Sequence, residues 1–148
     1  MSIENSFEDQ RNERIESLNK NTALNESAQI FFEESVGSGY SYNFTWLGFP
    51  IIQYPQDLIA LQEIIFKTKP NCIIETGFAR GGSAIFYSSI LENIFDNDKV
   101  KKKVISIDIS LNKEALKSLR NSKYSDNIFT LEGSSTSKKI EEEVASLI

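Results

Sequence analysis

Three short apolar runs, each closed by an acidic side chain, constrain the fold more than any other feature of the chain: Cys72-Ile73-Ile74 before Glu75, Val104-Ile105-Ser106-Ile107 before Asp108, and Ile128-Phe129-Thr130-Leu131 before Glu132. Short runs rich in β-branched and aromatic residues read as strands, and the first, apolar throughout, suits a strand buried on both faces. Around them the period changes. Gln56 to Thr68 carries Leu58, Leu61 and Ile65, with Ile59 and Ile64 beside them, at helical spacings; Pro55 fits its first turn and Lys69-Pro70 ends it. Ser83 to Phe95 places Ala84, Phe86, Tyr87, Ile90, Leu91 and Ile94 on an apolar side. A helix from about Asn112 to Leu119 follows the second run, and Ile140, Val144, Leu147 and Ile148 share a helical face after the third. Strands alternating with helices predict an α/β fold of Rossmann-like, three-layer type, a parallel sheet with helices on both faces.

The 148 residues allow one domain with a real core. Residues 1–30, rich in Asn, Glu and Ser and free of Gly and Pro, read as a polar, solvated and partly helical arm. Residues 31–55 form an aromatic lead-in, with Phe31, Phe32, Tyr40, Tyr42, Phe44, Trp46, Phe49 and Tyr54 interrupted by the loop-forming Val36-Gly37-Ser38-Gly39. These rings either pack on the domain or line a cleft, and packing is the commoner use. Residues 56–148 hold the strand and helix pattern, with Asp96 to Lys103 as a solvated polar crossover.

The net charge of -5 argues against a nucleic-acid partner, which calls for a basic surface. No apolar run approaches the roughly 20 residues of a membrane span, and Met1 to Gln10 lacks the pattern of a secretory signal, so a cytoplasmic protein acting on small molecules is expected. One cysteine, Cys72, and no histidine exclude an internal disulfide, a Cys/His zinc set and a Cys-His nucleophile. A general base would be a carboxylate, lysine or tyrosine, or its work would fall to a metal held by oxygen ligands.

In parallel sheets ligands bind beyond the carboxyl ends of the strands. After the first run, Gly77, Gly81 and Gly82 allow a tight turn and close approach of a ligand to bare backbone, and the following helix start would attract an anion such as a carboxylate. The same glycines could simply let strand and helix pack closely. The spacing is not G-x-G-x-x-G and no Gly-Lys-Ser/Thr follows, which weakens dinucleotide and P-loop readings. Asp108 could accept both hydroxyls of a ribose, although aspartate also serves turns. Glu132-Gly133-Ser134-Ser135 could flank an adenine or cap the last helix. Together the strand ends outline an adenosyl pocket.

These residues also resemble a family, the cephalosporin hydroxylase and rhamnosyl O-methyltransferase group of class I methyltransferases that use S-adenosylmethionine (SAM). The likeness rests on Trp46-Leu47-Gly48-Phe49-Pro50 with Tyr54-Pro55-Gln56-Asp57, on Ile74-Glu75-Thr76-Gly77 through Gly81-Gly82-Ser83-Ala84, on Val104 to Ile109, and on Glu132 to Ser135. It implies that Glu75, Gly77, Gly81, Gly82 and Ser83 surround the methionine part of SAM, Asp108 the ribose, and Gly133, Ser134 and Ser135 the adenine side. The implied activity is O-methylation of a small-molecule or glycosyl acceptor. Mg²⁺ is implied by the resemblance alone, with ligands outside this chain, and no catalytic residue is assigned. Family members continue with a fourth strand, so the chain reads as truncated after the third strand and its helix, its catalytic half missing and its first strand left as an exposed edge that could pair with a second copy. Two alternatives stand beside this reading: a non-catalytic SAM-binding or interaction fragment, and a nucleotide-dependent oxidoreductase, for which the glycine spacing is a poor fit.

Overall fold

A computed structural model describes residues 3–95 and 100–148, so part of the expected polar crossover, residues 96–99, lies outside the described residues. The chain divides into two units, residues 1–40 and 41–148. The first contains helices α1 (Ile3–Asn19) and α2 (Thr22–Gly37). Asn21 starts α2 by accepting the Leu24 amide at 3.0 Å, the usual device for satisfying an orphan helix donor. The loop expected at 36–39 begins later than its glycines suggest: α2 runs through Val36 to Gly37, and Ser38 N–H reaches back to the Glu34 carbonyl at 3.1 Å.

The second unit opens with an antiparallel hairpin of β1 (Phe44–Trp46) and β2 (Phe49–Ile51), joined by Leu47 and Gly48. Both turn residues have positive φ, 50° and 85°, as a two-residue hairpin turn of the primed type demands. Helix α3 (Pro55–Thr68) follows with Pro55 in its first turn and stops at Lys69, which is left-handed. Then come β3 (Cys72–Thr76), α4 (Gly82–Ile94), β4 (Lys103–Asp108), α5 (Lys113–Arg120), β5 (Ile128–Glu132) and α6 (Lys138–Leu147). The sheet is parallel in the order β3-β4-β5, as the alternating pattern predicts.

Register sorts the sheet into two faces. Ile73, Val104 and Ile128 form one row, with Glu75, Ser106 and Thr130 in the next row on the same side. That side meets α4 and α5 and carries the main core, including Ile51, Ala84, Ile85, Phe86, Leu91 and Leu119. The hairpin joins it: Trp46 meets Phe86 edge-on at 4.9 Å and donates its indole N–H to Ser89 Oγ at 2.9 Å. Phe44, Trp46 and Phe49 are therefore packing residues, and burying an aromatic with its polar edge satisfied is favourable. On the other side, Ile105 and Ile107 pack against Ile140 of α6.

The burial expected for the first strand is corrected. The middle strand β4 is the one enclosed on both faces, whereas Ile74 of β3 is 47% exposed. The cause is position: β3 has β4 on one side and no described strand on the other. Helix α3 also differs in detail, because Leu58, Leu61 and Ile65 face the core while Ile59 and Ile64 face outward. In the crossover, Lys102 is not solvated; it is buried and pairs with Glu92 at 3.0 Å, and the other Glu92 oxygen accepts from Asn127 at 2.6 Å. No helix among the described residues is long and apolar enough to cross a membrane.

Candidate ligand site at the strand ends

The carboxyl ends of β3, β4 and β5 are stitched together by backbone. Gly77 N–H donates to the Ile107 carbonyl at 2.7 Å, and Gly133 N–H to the Asp108 carbonyl at 2.8 Å. After β3 the chain turns through Gly77 (φ 98°), Ala79 (φ 45°) and Gly81 (φ 80°) before entering α4. Phe78 anchors this loop, since its ring is fully buried and its carbonyl accepts Gly81 N–H at 2.7 Å. Gly81 is the N-cap of α4 and supplies no side-chain cap, so the amides of the first turn keep the positive character of an uncapped helix start.

Two adjacent clefts open here and share Thr76 and Gly77. The first, about 260 Å³, lies between the glycine loop, the start of α4 and the segment after the hairpin, and is lined by Glu75, Arg80, Gly82, Ser83, Tyr87 and Gln53 among others. Glu75 is half-buried and accepts hydrogen bonds from the Ser106 and Ser83 hydroxyls. Burial pushes its carboxyl above the usual range, and the two hydroxyls pull it only partly back. The Tyr87 phenol is raised by burial and by the nearby Glu75 carboxylate. A desolvated carboxylate of this kind favours a cationic or multiply donating partner.

The second cleft, about 270 Å³, is lined by Gly77, Ile107, Asp108, Ile109, Gly133 and Ser135 along with Thr76. Asp108 accepts the Ala79 amide at 3.0 Å on one oxygen and the Ser110 amide at 3.1 Å on the other. The backbone hydrogen bonds hold its carboxyl below the ordinary aspartate value, that from Ala79 contributing most and that from Ser110 next. Asp108 is thus a tie between two loops as well as a wall of the cleft.

The structure brings most of the sequence-predicted site residues together. Glu75, Gly77, Gly82 and Ser83 line the first cleft, and Gly77, Asp108, Gly133 and Ser135 the second. Gly81 and Ser134 flank the clefts without lining them. The capping alternative for Ser134 and Ser135 is answered by Ser137, whose hydroxyl accepts the Ile140 amide at 3.3 Å; Ser134 pairs with Thr136 at 2.9 Å instead. At Gly82 the packing reading has direct support: a Cβ built there would lie 2.2 Å from the Pro50 carbonyl oxygen, so its missing side chain makes room for the hairpin, while the residue also lines the first cleft.

Sequence reasoning missed Arg80, Gln53 and Tyr87. Tyr87 was legible, because it follows Ser83 by one helical turn and so shares its face. Gln53 and its neighbour Pro50 reach the cleft only through the hairpin, whose signal was Phe44-Thr45-Trp46 and Phe49 flanking a two-residue turn that contains glycine. No cluster of three or more His, Cys, Asp or Glu side chains suited to a metal ion occurs among the described residues.

Comparison with known proteins places this geometry. The family model described as Rhamnosyl O-methyltransferase/CmcI matches residues 38–148. A rhamnosyl O-methyltransferase of Mycobacterium leprae (strain TN) is 31% identical over 103 residues, covering 70% of this chain and 41% of that protein. The chain therefore spans about 41% of the length of the curated relative it matches. Among solved structures, the CmcI-N160 apo-structure superposes with a TM-score of 0.52 at 17% identity, over 69% of this chain and 40% of that chain, a likeness of fold.

Proposed function

Because the chain belongs to the Rhamnosyl O-methyltransferase/CmcI family, we propose that its two clefts hold SAM and that it takes part in O-methylation of a small-molecule or glycosyl acceptor in the cytoplasm. The observation that carries this reading is the pair of clefts sharing Gly77, one with Glu75 and the uncapped start of α4, the other with Asp108 and Gly133. An elongated ligand with a charged amino-acid end and a nucleoside end fits that division.

The residues present suit the cofactor. The half-buried Glu75 carboxylate is placed to accept an ammonium, the α4 start to receive a carboxylate, and the Gly77 backbone leaves the space between the clefts unobstructed. Bound SAM would supply the methyl group from its sulfonium. The chain's own part is to hold and orient: methyl transfer needs an in-line approach, so fixing both ends of the donor contributes to rate through positioning.

Isothermal titration with SAM and with NAD tests the assignment. SAM binding in preference to NAD is expected, and S-adenosylhomocysteine (SAH), the product form, should compete for the same site. No heat and no ligand-induced amide shifts with SAM or SAH at millimolar concentration would overturn it.

A further inference from the structure

We propose that the lysine-lined cleft at the amino ends of β4 and β5 binds an oligophosphate, a small anion of two or more linked phosphate groups. The cleft, about 450 Å³, lies at the opposite end of the sheet from the glycine loop, so the proposal stands apart from the SAM reading. Lys101, Lys102 and Lys103 line it where the chain enters β4, and Lys123 lines it from the connection between α5 and β5. Two carboxylates, Glu92 of α4 and Asp126, share the lining. The whole chain carries a net charge of -5, so this surplus of lysines runs against its overall sign.

Internal pairing removes one cation and one anion from that set. Lys102 is 8% exposed and pairs with Glu92 at 3.0 Å, and the other Glu92 oxygen accepts from Asn127 at 2.6 Å. Through α4 these contacts join the two segments that carry the lysines, so the walls are in place before a ligand arrives, which lowers the cost of binding. Lys103 donates to the Leu147 carbonyl at the end of α6 and keeps its charge. Lys101 and Lys123 are exposed, with no ion pair among the described residues; Lys123 stands 4.9 Å from the centre of the Tyr124 ring. Three ammoniums are thus left against one carboxylate, that of Asp126, which accepts from Ser125 Oγ at 3.3 Å. Like charges gathered around one cleft repel, and a bound anion relieves that repulsion. Lysine holds phosphate as a point charge, and cations spread over two segments suit several linked anionic groups better than a single one.

The test follows the backbone amides of the isotope-labelled full chain during titration with inorganic pyrophosphate, with ADP and with sulfate, all at one ionic strength. Saturable shifts are expected at Lys101 to Lys103 and Lys123 to Asn127, with pyrophosphate or ADP bound about tenfold or more tightly than sulfate, the range for one additional charge-assisted contact. Binding of either phosphate compound at the lysines supports the site, and the tighter of the two names its source, a nucleotide or the inorganic anion. Lys101→Gln combined with Lys123→Gln should weaken that binding about tenfold or more, and Asp126→Asn, which removes the opposing carboxylate, should strengthen it. The substituted lysines are exposed, so the urea midpoint of the ligand-free double variant should match that of the wild type and show that the loss is one of binding. Sulfate bound as tightly as the phosphate compounds, shifts confined to the glycine loop, or an affinity that survives loss of both lysines would overturn the proposal.

Discussion

Replacing Gly82 by alanine separates packing from ligand binding more sharply than any other change in the glycine loop. The new Cβ would stand 2.2 Å from the Pro50 carbonyl oxygen, 2.7 Å from its carbon and 2.8 Å from the Ile51 Cα. All three are backbone atoms, so no side chain can swing aside. Ordinary contact begins near 3.4 Å, which means that β2 must recede by roughly 1 Å from the start of α4. Ile51 is 1% exposed and sits in the main core, so that retreat loosens its packing too. Overpacking of this kind costs about 1–3 kcal/mol. Alanine's better helix propensity returns at most about 1 kcal/mol, and less in a first turn. A net loss of about 1–2 kcal/mol is expected, read as a lower urea midpoint with an unchanged slope. A Gly82→Ala variant with the wild-type midpoint would refute the reasoning, because it would mean that the hairpin does not press on the helix start.

Gly77→Ala should lower the midpoint by a similar amount for a different reason: its Cβ meets nothing within 4 Å, but the φ of 98° imposes strain of roughly 1–2 kcal/mol, and because Gly77 lines both clefts SAH affinity should fall as well; an unchanged midpoint would contradict this. Glu75→Gln should raise the midpoint at pH 7 while weakening SAH, since a carboxyl raised by burial stabilises the fold below its unfolded value and loses that contribution as pH rises through the folded one; a lower midpoint at pH 7 would contradict this. Asp108→Asn should cost about 1–3 kcal/mol at neutral pH, discounted toward the lower figure for its exposure. Its lowered carboxyl contributes stability above the unfolded value of about 3.9, and that contribution disappears as pH falls through the folded one, so wild type and variant should converge in acid.

The sheet was legible because period and punctuation agreed. Each apolar run became a strand within a residue, and Asn112 caps α5, its side chain accepting the Ala115 amide at 2.9 Å, at the helix start that the spacing predicts. The site was legible to the extent that it lies at strand ends, which topology alone makes adjacent. What escaped was everything set by tertiary packing. The hairpin is short and rich in aromatic residues, and its turn signal competes with a general impression of loop. The asymmetry between β3 and β4 depends on which strand has neighbours, information that two equally apolar runs do not contain. The role of Gly82 depends on Pro50, a residue thirty-two positions away in the sequence whose carbonyl it must clear.

The Asp108 carboxylate has a consequence for how any nucleoside would enter. A carboxylate offers about four lone-pair positions, and here the Ala79 and Ser110 amides take one on each oxygen. About two positions are left for the hydroxyls of a nucleoside, which would meet a carboxylate already aimed by the two loops it joins. The Asp108 side chain then has little rotamer freedom left to lose on binding. The left-handed Ala79, at φ 45°, keeps its tie to the same group, so this wall of the cleft is set before any ligand arrives.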